Sequence, residues 1–270
     1  MSNPDSIVLL GGGRMGSALL RGWIDAGIAP GCVTVIDPAP PPGLIDFTAA
    51  RGIEVNGAIQ SRPRQTLVLA VKPQRVAELT ALIQSIARDD TLIVSIMAGK
   101  TVRNLRTLFP AVCAFVRAMP NLPASVGRGA TVAFADPACT AEQVQVAQRL
   151  LGSSGQLEWL SDETLIDAAT GLSGSGPAYV FYVADCLVRA GVAAGLPDEI
   201  AVRLARATIS GAGEMLRVSA KSATELRHDV TSPAGTTAAG LQILMRDDLL
   251  QTLLTDTVAA AMRRARELAG

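Results

Sequence analysis

Histidine occurs once in this chain, at His228, and the four cysteines (Cys32, Cys113, Cys139 and Cys186) stand far apart with no CxxC pair. Without clustered His and Cys there is no zinc site, so no metal is expected, and scattered single cysteines give no disulfide framework. The natural compartment is a reducing, cytoplasmic one. An excess of one charge is also missing: Lys plus Arg and Asp plus Glu each number 24, giving a formal net charge of zero. That excludes binding driven by a basic surface, whether to nucleic acid or to an anionic membrane. Long apolar runs are absent as well. The longest stretch without a charge, Ala168 to Ala184, contains GLSGSGP and is too polar and too broken to span a bilayer. MSNPDS lacks the layout of a secretory leader, and no internal repeat is evident. The expectation is a soluble globular protein with 270 residues available for one large domain or two modest ones.

What is present begins at Ile7. Ile7, Val8, Leu9 and Leu10 form a short unbroken apolar run, as expected of a strand buried on both faces of a parallel sheet. Gly11-Gly12-Gly13 ends it, and after Gly16 the apolar residues take helical spacing at Ala18, Leu19, Gly22 and Trp23. Gly11, Gly13 and Gly16 occupy the G-x-G-x-x-G positions between strand and helix, the context a dinucleotide-binding turn requires. Gly11 allows the tight turn, Gly13 lets a pyrophosphate approach the backbone, and Gly16 lets helix and strand pack closely. Unpaired N–H groups and the positive dipole end of the helix then face the phosphates.

Further strands are expected at Val33 to Ile36, Thr66 to Val71, Thr91 to Ser95, Val112 to Val116, Ala130 to Phe134 and Leu157 to Leu160. Helices are expected from about Gln74 to Arg88, Val102 to Phe109 and Ala141 to Leu151. This alternation predicts an α/β, doubly wound, Rossmann-like domain with its ligand beyond the carboxyl ends of the strands. Gly11, Asp37, Lys72, Ala98 and Asn121 all fall at such ends. Taken singly, Lys72 is equally a solvated strand end and Asp37 equally a turn aspartate before Pro38. Asp37 lies 21 positions past Gly16, where an acidic side chain would accept hydrogen bonds from the adenine ribose. The loop PAPPPG that follows has no Arg or Lys for a 2′-phosphate, which leans the cofactor towards NADH.

From Ser161 the chain reads as helical throughout, which places the domains at 1–161 and 162–270, the second all-α. Ser161-Asp162-Glu163 resembles an N-cap with acidic first-turn residues. Pro197 to about Val218 is apolar nearly all round, apart from a stripe at Arg203, Arg206, Ser210, Glu214 and Arg217. The last helix is expected to bury Leu250, Leu253, Leu254, Val258, Ala261, Ala265 and Leu268 on one face. Helices this apolar need cover from the first domain or from a second copy, so a homodimer is expected. Two loops carry possible substrate contacts. Thr170 to Ala178 (TGLSGSGPA) permits close backbone approach. Val230 to Thr237 (VTSPAGTT) leads into a helix, with hydroxyls and free N–H groups at its N-terminus suited to a small carboxylate or, equally, to an ordinary cap.

G-G-G-x-M-G, AVKP, SIMAGK, RAMPN, TGLSGSGPAYVF and TSPAGTT occur in one order at suitable distances. By these motifs the chain resembles pyrroline-5-carboxylate reductase over almost its full length, SGSGPAY together with TSPxGTT being the most specific part. The resemblance implies NAD(P)H-dependent reduction of 1-pyrroline-5-carboxylate to L-proline, a helical domain that interlocks in a dimer, and often a decamer. It also implies that Gly11, Gly12, Gly13, Arg14 and Met15 hold the pyrophosphate, while Val71, Lys72, Pro73, Ala98 and Asn121 line the nicotinamide side. Ser232, Gly235, Thr236 and Thr237 would bind the substrate carboxylate. The chain departs from the family pattern at Ala234 (usually Gly), Met97 (commonly Ala) and Arg14 (frequently Asn), and Asp37 runs against the family's usual NADPH.

Such a reaction suits a chain poor in histidine. A cyclic imine can arrive protonated on nitrogen, so catalysis is mostly positioning and exclusion of water, with Thr237 as the candidate proton relay. A 3-hydroxyacid dehydrogenase of similar build would need a basic lysine in the helical part, where only Lys221 is available, in a polar AKSA stretch. A nucleotide-binding regulatory protein would leave the second set of anion-binding features unexplained.

Overall fold

A computed structural model describes residues 6–63 and 65–269. Residues 1–5, most of the stretch read for a leader, lie outside the described residues. The chain divides into two compact units, one ending at Ser175 and including residues from Ala260 onward, the other spanning Gly176–Ala259.

The first unit contains β1 (Ile7–Leu10), α1 (Arg14–Asp25), β2 (Val33–Ile36), α2 (Pro42–Ala49), β3 (Glu54–Val55), β4 (Thr66–Leu69) and α3 (Val76–Ile86). It continues through β5 (Leu92–Ser95), α4 (Val102–Leu108), β6 (Ala114–Met119), β7 (Gly129–Ala135), α5 (Ala141–Gly152), β8 (Gly155–Trp159) and α6 (Leu165–Ala169). The eight strands form one sheet in the order β3-β2-β1-β4-β5-β6-β7-β8. On β1, Ile7 and Leu9 enter one core and Val8 and Leu10 the other, all four essentially fully buried. Alternate side chains of a strand face opposite ways, so a run with no polar residue needs helices on both faces. Trp23 and Leu150 pack on the first face, Ile83 and Phe109 on the second. The Trp23 indole N–H donates to the Leu150 carbonyl at 2.9 Å, which satisfies its polar atom inside that core.

Two expectations are corrected. The sheet is not parallel throughout, because β7 runs antiparallel to β6. The link between them is a short 3-10 turn at Leu122–Val126, too brief for the crossover a parallel neighbour needs. PAPPPG is not wholly loop, since Pro42 opens α2 with Pro41 as its N-cap. Proline is well suited to that first position, where its missing N–H costs nothing. Leu44, Phe47 and Thr48 are buried at helical spacing, and the guanidinium groups of Arg21 and Arg51 lie 4.3 and 3.9 Å from the Phe47 ring centre.

The second unit contains α7 (Gly176–Ala193), α8 (Asp198–Val218), α9 (Ala223–Asp229) and α10 (Thr236–Leu244), then the start of α11 (Leu249–Ala269), whose later residues belong to the first unit. TGLSGSGPA is not a loop: Thr170–Gly174 is a π-helical turn and α7 begins at Gly176. Such turns recur at functional sites because they widen a helix locally. The face expected to be buried on α11 is exposed within one chain at Leu250, Leu253, Leu254 and Leu268.

Candidate active site

The strand order reverses between β1 and β4, which is where a doubly wound sheet opens a crevice at its carboxyl edge. Gly11 leaves β1 at φ +102°, and a Cβ there would lie 2.7 Å from the Ala70 carbonyl oxygen, so only glycine fits. A Cβ on Gly16 would collide with the Gly11 carbonyl. Gly13 differs, because a Cβ there would meet nothing within 4 Å. It is exposed, as is Arg14, Met15 is half-buried, and no side chain caps α1. The first turn of α1 therefore presents unused N–H groups, a fit for a pyrophosphate.

Asp37 follows β2. Its Oδ2 accepts from the Gly12 N–H at 2.7 Å and its Oδ1 from the Ala39 N–H at 2.9 Å. Asn56, itself at φ +56°, accepts from the Asp37 N–H at 2.9 Å and donates to the Asp37 carbonyl at 2.8 Å. Asp37 is thus fixed against the glycine turn rather than loose on the surface. Beside it lies a cleft of about 420 Å³, lined by Gly11, Asp37, Asn56, Val71, Arg75 and Glu78 among others. Sequence reading missed Asn56, Arg75 and Glu78. The last two are visible as an i,i+3 charge pair, but only the topology brings them to Asp37.

Lys72 and Ala98 are exposed, while Val71 and Pro73 are half-buried. Ala98 lines a second cavity of about 250 Å³ in the first unit, with Met97, Gly99, Arg117, Met119 and Asp167. Its one deeply buried charge, Arg117, is neutralised. Nη1 donates to Glu163 Oε1 at 3.1 Å, and Nη2 stands 3.5 Å from Asp167 Oδ1, an ion pair without a hydrogen bond. Glu163 Oε1 also accepts from the Val102 N–H at the start of α4, at 2.8 Å. Glu163 is therefore not the first-turn residue expected. It precedes α6, whose N-cap is Thr164, and Asp162 accepts from the Thr164 N–H at 2.8 Å, which holds its carboxyl below the usual range. Asn121 is buried with both ends of its amide bonded, donating to the Ser173 carbonyl at 2.9 Å and accepting from the Ala130 N–H at 2.9 Å.

In the second unit, α10 begins at Thr236 behind Gly235 with no side-chain cap. The Ser232, Thr236 and Thr237 hydroxyls are exposed, and Gly235 is half-buried. The Gly235 N–H donates to the Ser232 carbonyl at 3.1 Å, which folds Ser232 back over the helix start, and a Cβ on Gly235 would run into the Ser232 hydroxyl. An ordinary cap would spend one of these hydroxyls on the helix. Here the three residues are exposed and no side chain caps the first N–H groups of α10. Lys221, the base a hydroxyacid dehydrogenase would need, is paired with Asp229 at 2.6 Å.

Two family models match the chain. One, described as pyrroline-5-carboxylate reductase dimerisation, matches residues 163–268, and one described as NADP oxidoreductase coenzyme F420-dependent matches residues 6–99. Pyrroline-5-carboxylate reductase of Pisum sativum is 36% identical, with 99% of this chain and 97% of that protein covered. The Haemophilus influenzae protein of the same name is 33% identical, with 97% of each covered. A solved pyrroline-5-carboxylate reductase from Coxiella burnetii has a TM-score of 0.88 at 31% identity, covering 99% of this chain and 100% of that one. A Plasmodium falciparum pyrroline carboxylate reductase with NADP bound has a TM-score of 0.80 at 26% identity, covering 100% of both chains. With likeness of this extent running through both units, the chain belongs to the pyrroline-5-carboxylate reductase family.

Proposed function

We propose that the first unit's crevice takes NAD(P)H and that VTSPAGTT takes the substrate carboxylate. As a pyrroline-5-carboxylate reductase the chain is an NAD(P)H-dependent oxidoreductase that reduces 1-pyrroline-5-carboxylate to L-proline, the last step of proline synthesis. Bound NAD(P)H supplies the hydride. The chain's own residues bind and orient. Gly11 to Met15 hold the pyrophosphate, Asp37 faces the ribose, and Val71, Lys72, Pro73 and Ala98 line the nicotinamide side. Asn121, its side chain spent on Ser173 and Ala130, shapes that wall through the backbone it fixes. Ser232, Gly235, Thr236 and Thr237 bind the carboxylate, and the Thr237 hydroxyl is the candidate relay for a proton at the ring nitrogen. The single observation that supports this reading most is the uncapped start of α10, with the exposed Ser232, Thr236 and Thr237 around it.

The functional division we infer is 1–161 for coenzyme and 162–270 for substrate and assembly. NADH is the preferred coenzyme, on the strength of Asp37. The matched dimerisation segment supports a homodimer, and a decamer of such dimers is the larger assembly the resemblance implies. No helix among the described residues is long and apolar enough to cross a membrane, and the free cysteines suit a cytoplasmic setting. The test is oxidation of NADH or NADPH by the purified protein with and without 1-pyrroline-5-carboxylate, with proline measured as product. Oxidation independent of that imine, or none with either coenzyme, overturns the reading.

A further inference from the structure

The cleft beside Asp37 contains a cation that its flanking loop lacks. Arg75, the last residue of the 3-10 turn Pro73–Arg75, lines it together with Asp37 and Asn56. Its guanidinium is turned onto Glu78 of α3, Nε and Nη2 donating to Oε2 at 3.0 and 2.8 Å. Both partners are about half exposed, at 46% and 59%. The Glu78 carboxylate raises the Arg75 pKa, and Asp37 adds to this, so Arg75 lies in the field of both carboxylates.

The formal charges of Asp37, Glu78 and Arg75 leave the cleft at minus one. A ribose carrying only hydroxyls meets no penalty there, whereas a 2′-phosphate of charge about −2 does. An exposed pair three residues apart across the start of a helix is weak and readily exchanged. Arg75 can therefore leave Glu78 for a phosphate, at the cost of stranding a second carboxylate beside it. We propose that the Arg75–Glu78 pair sets coenzyme choice: Arg75 is the residue that contacts a 2′-phosphate, and Glu78 restrains it, so that the free ribose is preferred.

This rests on the reading that the cleft takes the adenosine end of the coenzyme. The experiment compares kcat/KM for NADH and NADPH in the unaltered enzyme, Glu78→Gln, Arg75→Ala and the double variant. In parallel, inhibition by ADP and by adenosine 2′,5′-bisphosphate against NADH is measured. Glu78→Gln removes one negative charge and should raise the NADPH-to-NADH efficiency ratio about five- to tenfold. Arg75→Ala should lower that ratio, and the double variant should lose the gain of Glu78→Gln. The bisphosphate should gain on ADP as an inhibitor in Glu78→Gln alone. An unchanged ratio in Glu78→Gln, or a gain that survives removal of Arg75, overturns the proposal while ADP inhibition still upholds the cleft. Failure of either nucleotide to compete with NADH overturns the cleft reading and the proposal with it.

Discussion

Ala234 sits in the left-handed region at φ +56°, which favours glycine, in the middle of the segment proposed to hold the substrate. An L-residue pays roughly 1–2 kcal/mol for that conformation, and glycine returns part of the relief as extra freedom in the unfolded chain. Ala234→Gly should therefore stabilise the protein by about 0.5–1 kcal/mol, read from urea unfolding monitored by circular dichroism. A loss of stability would mean that the methyl group makes a contact outweighing the strain. Thr237 invites a different substitution. It is an exposed residue in the first turn of α10 and does not cap that helix, so Thr237→Val keeps the volume and removes only the proposed ligand contact. A hydrogen bond to a charged group is worth roughly 1.5–3 kcal/mol, so KM for 1-pyrroline-5-carboxylate should rise about ten- to a hundredfold. Turnover falls too if the carboxylate sets the hydride distance, while NADH binding holds. Unaltered substrate kinetics in Thr237→Val would move the carboxylate site elsewhere.

Between elements, the bond network of Glu163 carries most information. One carboxylate oxygen joins the start of α4 to β6 by accepting from Val102 and from Arg117, whose side chain is only 5% exposed. Glu163→Gln leaves the shape intact but leaves that guanidinium with Asp167 alone. Removing one partner of a buried pair should cost about 2–3 kcal/mol, the remaining carboxylate limiting the loss. Denaturant unfolding checks this, and a loss below roughly 0.5 kcal/mol would show that water takes over from Glu163. This network was not legible in the chain, where Ser161-Asp162-Glu163 looks like any acidic helix start. Local spacing speaks to local partners, and Val102 is 61 positions away. The unbroken run Ile7 to Leu10 did predict burial on both faces, because no other environment tolerates it. The reversal of β7 is hidden in the sequence for the opposite reason. An apolar run looks the same in either direction, and only the brevity of its connection held a clue. Likewise Pro38 to Gly43 read as loop from its prolines, although Pro42 stands where proline starts a helix.

At the scale of the molecule, the second unit has an unsolved burial problem. Among the described residues, both core clusters are drawn wholly from the first unit. In α8 only Ala201 and Ala205 are buried, while Phe181 is 58% exposed, Ile243 68% and Leu253 62%. Burying a side chain of this size is worth about 1.5–3 kcal/mol, so covering several of them outweighs the entropy lost on association. Surfaces this apolar rarely stay bare on a single soluble chain. The protein should therefore sediment at no less than twice its 28.0 kDa chain mass. Leu253→Glu, which sets a charge in the middle of one exposed apolar face, should shift the distribution towards smaller species and make the melting temperature depend more steeply on concentration. Truncation before Asp247 removes α11 altogether and should leave insoluble material. If the unaltered chain instead sediments as a 28.0 kDa monomer with its full helical signal, these side chains are stable in water and the case for a second copy fails.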